Sequence, residues 1–325
     1  MMKQLVNFSN YPSDLDLFQN DPALLQSFLQ QHHLDGIEMM LCSPCSESFR
    51  QKHWLCGVHL RYWPCWLDFW RDNRGELLRQ FGGEQQISNY YGAKNRNGWL
   101  DICRKNIQDA HDAGARYIVY HVSHARVSEV FNRNFSATDN EVIDAAIEVI
   151  NELSPVIPAN MALLFENLWW PGLTLQDKRL TARLFNRVNH ENIGIMLDTG
   201  HLMNTNSALR TEEEGIDYVL QTIQNLAPYD ELIRGIHLHK SLSGSYVEQS
   251  LQKTNPDYDP FSIMQHIMRI DEHQPFRLTQ TQKILDYIEP DYLVHEFLYT
   301  SLADWSQKIG QQQKTLQMKN KEAIK

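Results

Sequence analysis

The stretch IGIMLDTGH at residues 193–201 is an apolar run that stops on an acid, a threonine, a glycine and an imidazole. A near-continuous apolar run suits a strand buried on both faces, as in a parallel sheet, rather than the alternation of a half-exposed strand. Asp198 and His201 lie three positions apart, so both can face one centre where the chain leaves the strand, with Thr199 and Gly200 allowing the reversal. Outward from this stretch the pattern recurs. Val58-His59, Tyr120-His121, Phe165-Glu166-Asn167, Ile236-His237-Leu238-His239 and Val294-His295-Glu296 each close an apolar run with a metal-ligand type of residue.

Strand-like runs fall at 5–8, 36–40, 57–62, 116–122, 162–166, 193–198, 233–239 and 292–297. Between them lie amphipathic stretches at 21–31, 100–113, 139–152, 175–186, 212–226 and 279–288, each long enough for a helix. Eight strands with interposed helices predict an α/β chain folded as a single (β/α)8 TIM barrel. The expected organisation is one domain over 1–325, with the barrel at about 3–300 and a covering helix and frayed tail at about 302–325. No glycine-rich phosphate loop follows the first run, where a dinucleotide-binding sheet would carry one. Two connections are long, 63–98 after strand 3 and 240–276 after strand 7, and long loops on the catalytic face of a barrel shape access to it.

The 325 residues are 42% hydrophobic, enough for a large core, and the formal charge of −10 argues against broad attraction to nucleic acid or an anionic membrane surface. The opening MMKQLVNFS lacks the apolar core of a signal peptide, and no run approaches a membrane span, so the expectation is a cytoplasmic protein. Five cysteines, with Cys42 and Cys45 forming a CxxC that has no second pair, read as reduced thiols.

Carboxylates and imidazoles at the ends of buried strands are costly to desolvate unless paired or bound to a cation, and six strand ends of this kind call for a common cause. A divalent-metal site supplies it. His237 and His239 share one face of their strand, so that one can bind metal while the other touches substrate or is structural, with His237 favoured as the deeper ligand. Asp271 and His273, in the second long connection, have spacing that can bring both to one ion. Tyr62, Asn167, Trp169, Trp170, His201, His239 and Lys240 are the candidate substrate contacts, with Arg61, Arg126 and Lys240 the main cations near the mouth.

The segments FENLWWPG, GIMLDTGH, IHLHKS and LVHEF, in this order, resemble the xylose isomerase-like barrel superfamily, which includes sugar-phosphate isomerases, ketose epimerases and endonuclease IV. The resemblance to the epimerase branch implies that Glu166, Asp198, His237 and Glu296 bind one ion, manganese, cobalt, magnesium or zinc. It also implies that Glu166 and Glu296 are the catalytic acid and base on a sugar-like small molecule. The resemblance to endonuclease IV implies a larger set and three zinc ions, with His59 and His121 at one, His201 at another, and Asp271 with His273 at a third position. Tyr62, three residues after His59, matches a tyrosine of that branch. A metal-dependent isomerase or epimerase, a multi-zinc phosphodiester hydrolase acting on nucleic acid, and a non-catalytic metal or sugar binder are the readings carried forward, with a homo-oligomer paired through outer helices.

Overall fold

The computed structural model describes residues 2–50, 52–252 and 259–316. Eight strands, β1 (Lys3–Ser9), β2 (Gly36–Met40), β3 (Leu55–His59), β4 (Tyr117–His121), β5 (Ala162–Glu166), β6 (Ile193–Asp198), β7 (Ile233–Leu238) and β8 (Tyr292–His295), pair in parallel in chain order. β8 returns to β1 and closes the ring, so the fold is the expected (β/α)8 TIM barrel.

Side chains alternate across a strand, and in a closed barrel one of the two sets must fill the interior. Leu5, Cys56, Tyr117, Val119, Ala162, Leu164, Met196 and Val294 form that plug, apart from the larger core between strands and helices. The alternation then decides where the chemistry goes. His121 lies two residues beyond Val119, Glu166 two beyond Leu164, Asp198 two beyond Met196 and Glu296 two beyond Val294. Each is therefore the next inward side chain above the plug, at the carboxyl end of its strand, where barrels of this type carry their sites.

The outer helices begin where the sequence offers caps. Thr138 and Glu141 close a reciprocal capping box on the helix Asp139–Leu153, Thr211 and Glu214 do the same for Glu212–Asn225, and Asp177 caps Lys178–Arg187. That last cap moves the helix start from the expected 175 to Lys178. The helix expected from 100 begins earlier, at Arg96, behind the Asn95 cap, and the one expected from 279 opens with a 3-10 turn before Gln282–Ile288.

Both long connections carry helices of their own. The first holds Trp66–Trp70, Arg74–Phe81 and Glu84–Tyr91; the second holds Gly244–Ser250 and Pro260–Ile270, with 253–258 outside the described residues. The Trp66–Trp70 segment is a buried helix whose Trp66 stacks on Trp99 at 6.3 Å. The covering helix spans Leu302–Thr315, and its buried Trp305 stacks on Phe28 and Tyr299 at 4.9 and 4.2 Å. The far end of the expected tail, 317–325, lies outside the described residues. The five cysteines are free thiols, and no helix of the described residues is long and apolar enough to cross a membrane.

Candidate metal centre

β3 to β8 and the turns after β6 and β7 bring the expected donors together above the plug. Four overlapping groups form, in each of which one ligand atom per residue lies within 4.8 Å of the others: His59, His121 and Glu166; Glu166, Asp198 and His237; Asp198, His201 and His239; His239, His273 and Glu296. Glu166 sits at the junction. Its Oε2 lies 3.0 Å from both His59 Nε2 and His121 Nε2, and its Oε1 lies 3.1 Å from His201 Nδ1 and 3.4 Å from His237 Nδ1. Asp271 Oδ2 is set between two imidazoles, 3.0 Å from His201 Nε2 and 3.3 Å from His273 Nε2. All ten expected ligand and substrate acids and imidazoles thus line one continuous cluster.

The donor chemistry fits divalent ions. A metal-binding imidazole is held by a hydrogen bond from its other ring nitrogen, which fixes the tautomer and aims the lone pair. His59 Nδ1 donates to the Leu60 carbonyl, His201 Nδ1 to the Asn167 carbonyl and His273 Nδ1 to the Asp271 carbonyl, each at 3.0 Å. A carbonyl can only accept, so in the neutral form of each ring, the form that binds a metal, the lone pair is left on Nε2. His237 reverses the arrangement, with Nε2 donating to Glu38 Oε1 at 2.9 Å and Nδ1 facing the carboxylates. Both ring nitrogens of His121, Nδ1 of His237 and His239, and Oε2 of Glu296 are buried with no hydrogen-bond partner. Orphaned atoms of this kind call for an occupant.

The crowding also sets the protonation. Burial alone would raise Glu166, but His121 and His237 outweigh it and hold the carboxyl well below the ordinary range. Burial pushes Glu296 up to about 7, with Asp198 and Glu166 adding to it against the pull of His237 and His239. Burial drives His121 and His273 down to about 4, so both are neutral at physiological pH, the form in which an imidazole can bind a metal.

The candidate substrate contacts divide. Tyr62 lies edge-on to the His121 ring at 4.6 Å and donates its hydroxyl to the Ser123 carbonyl. Trp169 packs against His201 at 5.0 Å, and both Trp169 and Trp170 are buried in a satellite cluster with Val130, Val247 and Ile270. Asn167 commits its amide to the backbone of Asp198, accepting from its N–H at 2.9 Å and donating to its carbonyl at 3.0 Å. Lys240 pairs with Glu212, and Arg126 forms a two-pronged pair with Asp68, so two of the three expected mouth cations are engaged. Gly200, expected to permit a reversal, sits instead in the helix Thr199–Asn204.

Glu38 was not among the expected residues. It is buried in the middle of β2 rather than at a strand end, and it accepts from Tyr117 Oη at 2.8 Å as well as from His237. Gly57 makes this possible, because a Cβ there would come within 2.1 Å of the Tyr117 ring. The available signal was a carboxylate inside the apolar run GIEMM, which carries the same desolvation cost as the acids at strand ends. Replacing Glu38 by Gln is expected to weaken metal binding about 10- to 100-fold, the usual effect of losing a carboxylate that orients a ligand histidine. Competition with a chromophoric chelator measures this, and a change below about threefold would reduce Glu38 to packing.

In sequence, residues 30–276 match the family of xylose isomerase-like TIM barrels. Among curated proteins, none matches the chain. Among solved structures, the chain is similar to a D-tagatose 3-epimerase-like protein, with TM-score 0.53, 14% identity and 97% of both chains covered. It is also similar to an L-ribulose 3-epimerase, with TM-score 0.52, 13% identity, and 98% of this chain and 94% of that one covered. A third, described as AsfvAP:AG, gives TM-score 0.55 and 11% identity over 97% of this chain and 99% of that one. At these identities the structural likeness speaks for the fold, while the sequence match covers most of the chain. This chain belongs to the xylose isomerase-like TIM barrel family.

Proposed function

We propose that this chain is a metal-dependent hydrolase of phosphate diesters, with three divalent ions held by nine side chains. The observation that carries it is three adjoining sets of donors, the first two joined through Glu166: His59, His121 and Glu166; Glu166, Asp198, His237 and Glu296; and, around Asp271, His201 and His273 at 3.0 and 3.3 Å. A one-ion isomerase has no use for His59, His121, Asp271 and His273 as ligands. The likeness to endonuclease IV gives each of them a role.

Bound divalent ions would supply a water of lowered pKa and positive charge against the phosphoryl oxygens. The chain's own part is positioning. Glu166 holds two neighbouring sets at fixed separation, Asn167 and the His201 N–H, at 2.6 Å from Asp198 Oδ1, lock Asp198, and Glu38 aims His237. Glu296, whose Oε2 is buried with no hydrogen-bond partner, is the carboxylate placed to take a proton from the attacking water. Water adds to phosphorus as the bond to the leaving oxygen breaks, and that oxygen departs with a proton. The engaged states of Arg126 and Lys240 leave little positive surface, which favours a compact diester over a long polynucleotide track.

A second reading has its own support. Glu166 Oε1 and Glu296 Oε2 both flank His237 Nδ1, at 3.4 and 3.3 Å, as a carboxylate pair around one central ion would. Such a pair suits proton removal and return beside a carbonyl, and two of the similar structures are a D-tagatose 3-epimerase-like protein and an L-ribulose 3-epimerase. Elemental analysis of protein purified without chelator, with turnover of bis(4-nitrophenyl) phosphate and of ketoses, separates the two. About three ions per chain with diester cleavage is the expected result; one exchangeable ion with ketose epimerisation overturns it.

A further inference from the structure

His239 has no place in the nine-residue or the four-residue ligand set argued above, yet it belongs to two of the four donor groups and is fully buried at the centre of the cluster. Its Nε2 lies 3.0 Å from Asp198 Oδ2 and 3.7 Å from Glu296 Oε2, and both atoms also face His237 Nδ1, at 3.7 and 3.3 Å. Donor atoms on an ion with bonds near 2.1 Å stand about 3.0 to 3.4 Å apart at octahedral or tetrahedral angles. The His239–Asp198 contact, which is also a hydrogen bond, and the His237–Glu296 contact fall in that range, while the two contacts at 3.7 Å lie just beyond it. On its other side, Nδ1 has no hydrogen-bond partner and faces Asp271 Oδ1 at 3.9 Å, while the ring stacks on His273 at 4.3 Å. His239 thus spans the gap between the central set and the set of His201, Asp271 and His273.

The surrounding chain is shaped for that ring. Gly200 lies within a helix, where glycine costs roughly 0.5–1 kcal/mol relative to alanine. A Cβ at Gly200 would come within 2.1 Å of the His239 Cε1 atom. Thr199 fixes the backbone of His239 from both sides, its Oγ1 lying 2.6 Å from the His239 carbonyl and 3.2 Å from its N–H. Gly200 thus leaves the room that the imidazole fills, and Thr199, which also meets the His237 carbonyl at 3.1 Å, fixes the backbone that carries both histidines.

We propose that His239 is itself a metal ligand. Its Nε2 binds the central ion beside Asp198, His237 and Glu296, and its Nδ1–H points at Asp271, so that two ion sites are joined through one ring. This rests on the metal-centre reading given above, but not on the number of ions. The experiment uses the whole chain loaded with cobalt(II), comparing His239→Asn, which removes the Nε2 position, and His239→Gln, whose amide oxygen reaches it. The readouts are cobalt uptake and the hyperfine-shifted, exchangeable N–H resonances of coordinated imidazoles.

The expected result is the loss of one such resonance in both variants, with cobalt affinity at the central site down at least about 100-fold in His239→Asn and less in His239→Gln. Metal-free variants with the circular dichroism of the metal-free parent establish that the fold is kept. Unchanged resonances and affinity in His239→Asn overturn the proposal while leaving a three-ion parent standing. A parent that takes up one cobalt and loses a resonance on substitution overturns the three-ion reading and keeps His239 as a ligand.

Discussion

Glu166→Gln is expected to cost the ion of His59 and His121, which have no other carboxylate, reducing the bound ions from about three to two, and to lower diester turnover by about 10³-fold or more, some 4 kcal/mol of barrier. The reason lies in how fully the carboxylate is used. One oxygen serves His59 and His121 at 3.0 Å each, and the other faces His201 and His237 at 3.1 and 3.4 Å. An amide keeps the shape and one accepting oxygen, but it turns an NH2 group toward nitrogen lone pairs and removes the charge that holds two cations close together. The set of His201, Asp271 and His273 keeps its own carboxylate and is expected to retain its ion. Elemental analysis and steady-state turnover on the purified variant measure both effects. Three ions in the variant would show that Glu166 is not the shared ligand.

The contrast between Glu166 and Glu38 shows which parts of this centre sequence reasoning reaches. Glu166 ends the run ALLFE, and a buried strand that ends on an acid marks both the strand and its functional end. Glu38 lies inside its run, where nothing in one sequence says that a tyrosine 79 residues away crosses a glycine to meet it. β3 shows the same limit differently. The apolar pattern runs on to Tyr62, but the strand ends at His59: the Leu60 N–H still bonds the Val119 carbonyl of β4, and by Tyr62 the chain has left the sheet to meet Ser123 and His121. The lengths of the two long connections were legible, whereas their helices were not. Trp66–Trp70 is five residues long and buried all round, so it offers no periodicity to read. The ligands were legible as types at strand ends, but their grouping was not: only distances bring His59 and His121 to one oxygen of Glu166, and only the hydrogen bonds of Asn167 and Lys240 assign these residues to Asp198 and Glu212.

Removing the metal is expected to lower the melting temperature by roughly 10 °C at neutral pH, and this loss should grow between pH 6 and pH 8. Without ions, the buried carboxylates must be balanced by protons on the histidines. Burial opposes protonation of His237 and His201, but Glu296, Glu38 and Glu166 around the first, and Asp198 and Asp271 around the second, raise both well above the ordinary value. A histidine raised in the folded state contributes stability that is fully present below its unfolded value near 6.5 and is lost as pH climbs through the folded one. The stripped protein should therefore weaken as pH rises from about 6.5. The loaded protein moves the opposite way, because ions bind deprotonated imidazoles and carboxylates, so their affinity rises as protons become scarce. Thermal scans of chelated and reloaded protein across this range test the divergence, and a proton-release measurement in weak buffer during metal titration tests its cause. Parallel melting curves, or metal uptake without proton release, would mean that His201 and His237 are neutral before the ions arrive and that the centre is held together by its hydrogen bonds alone.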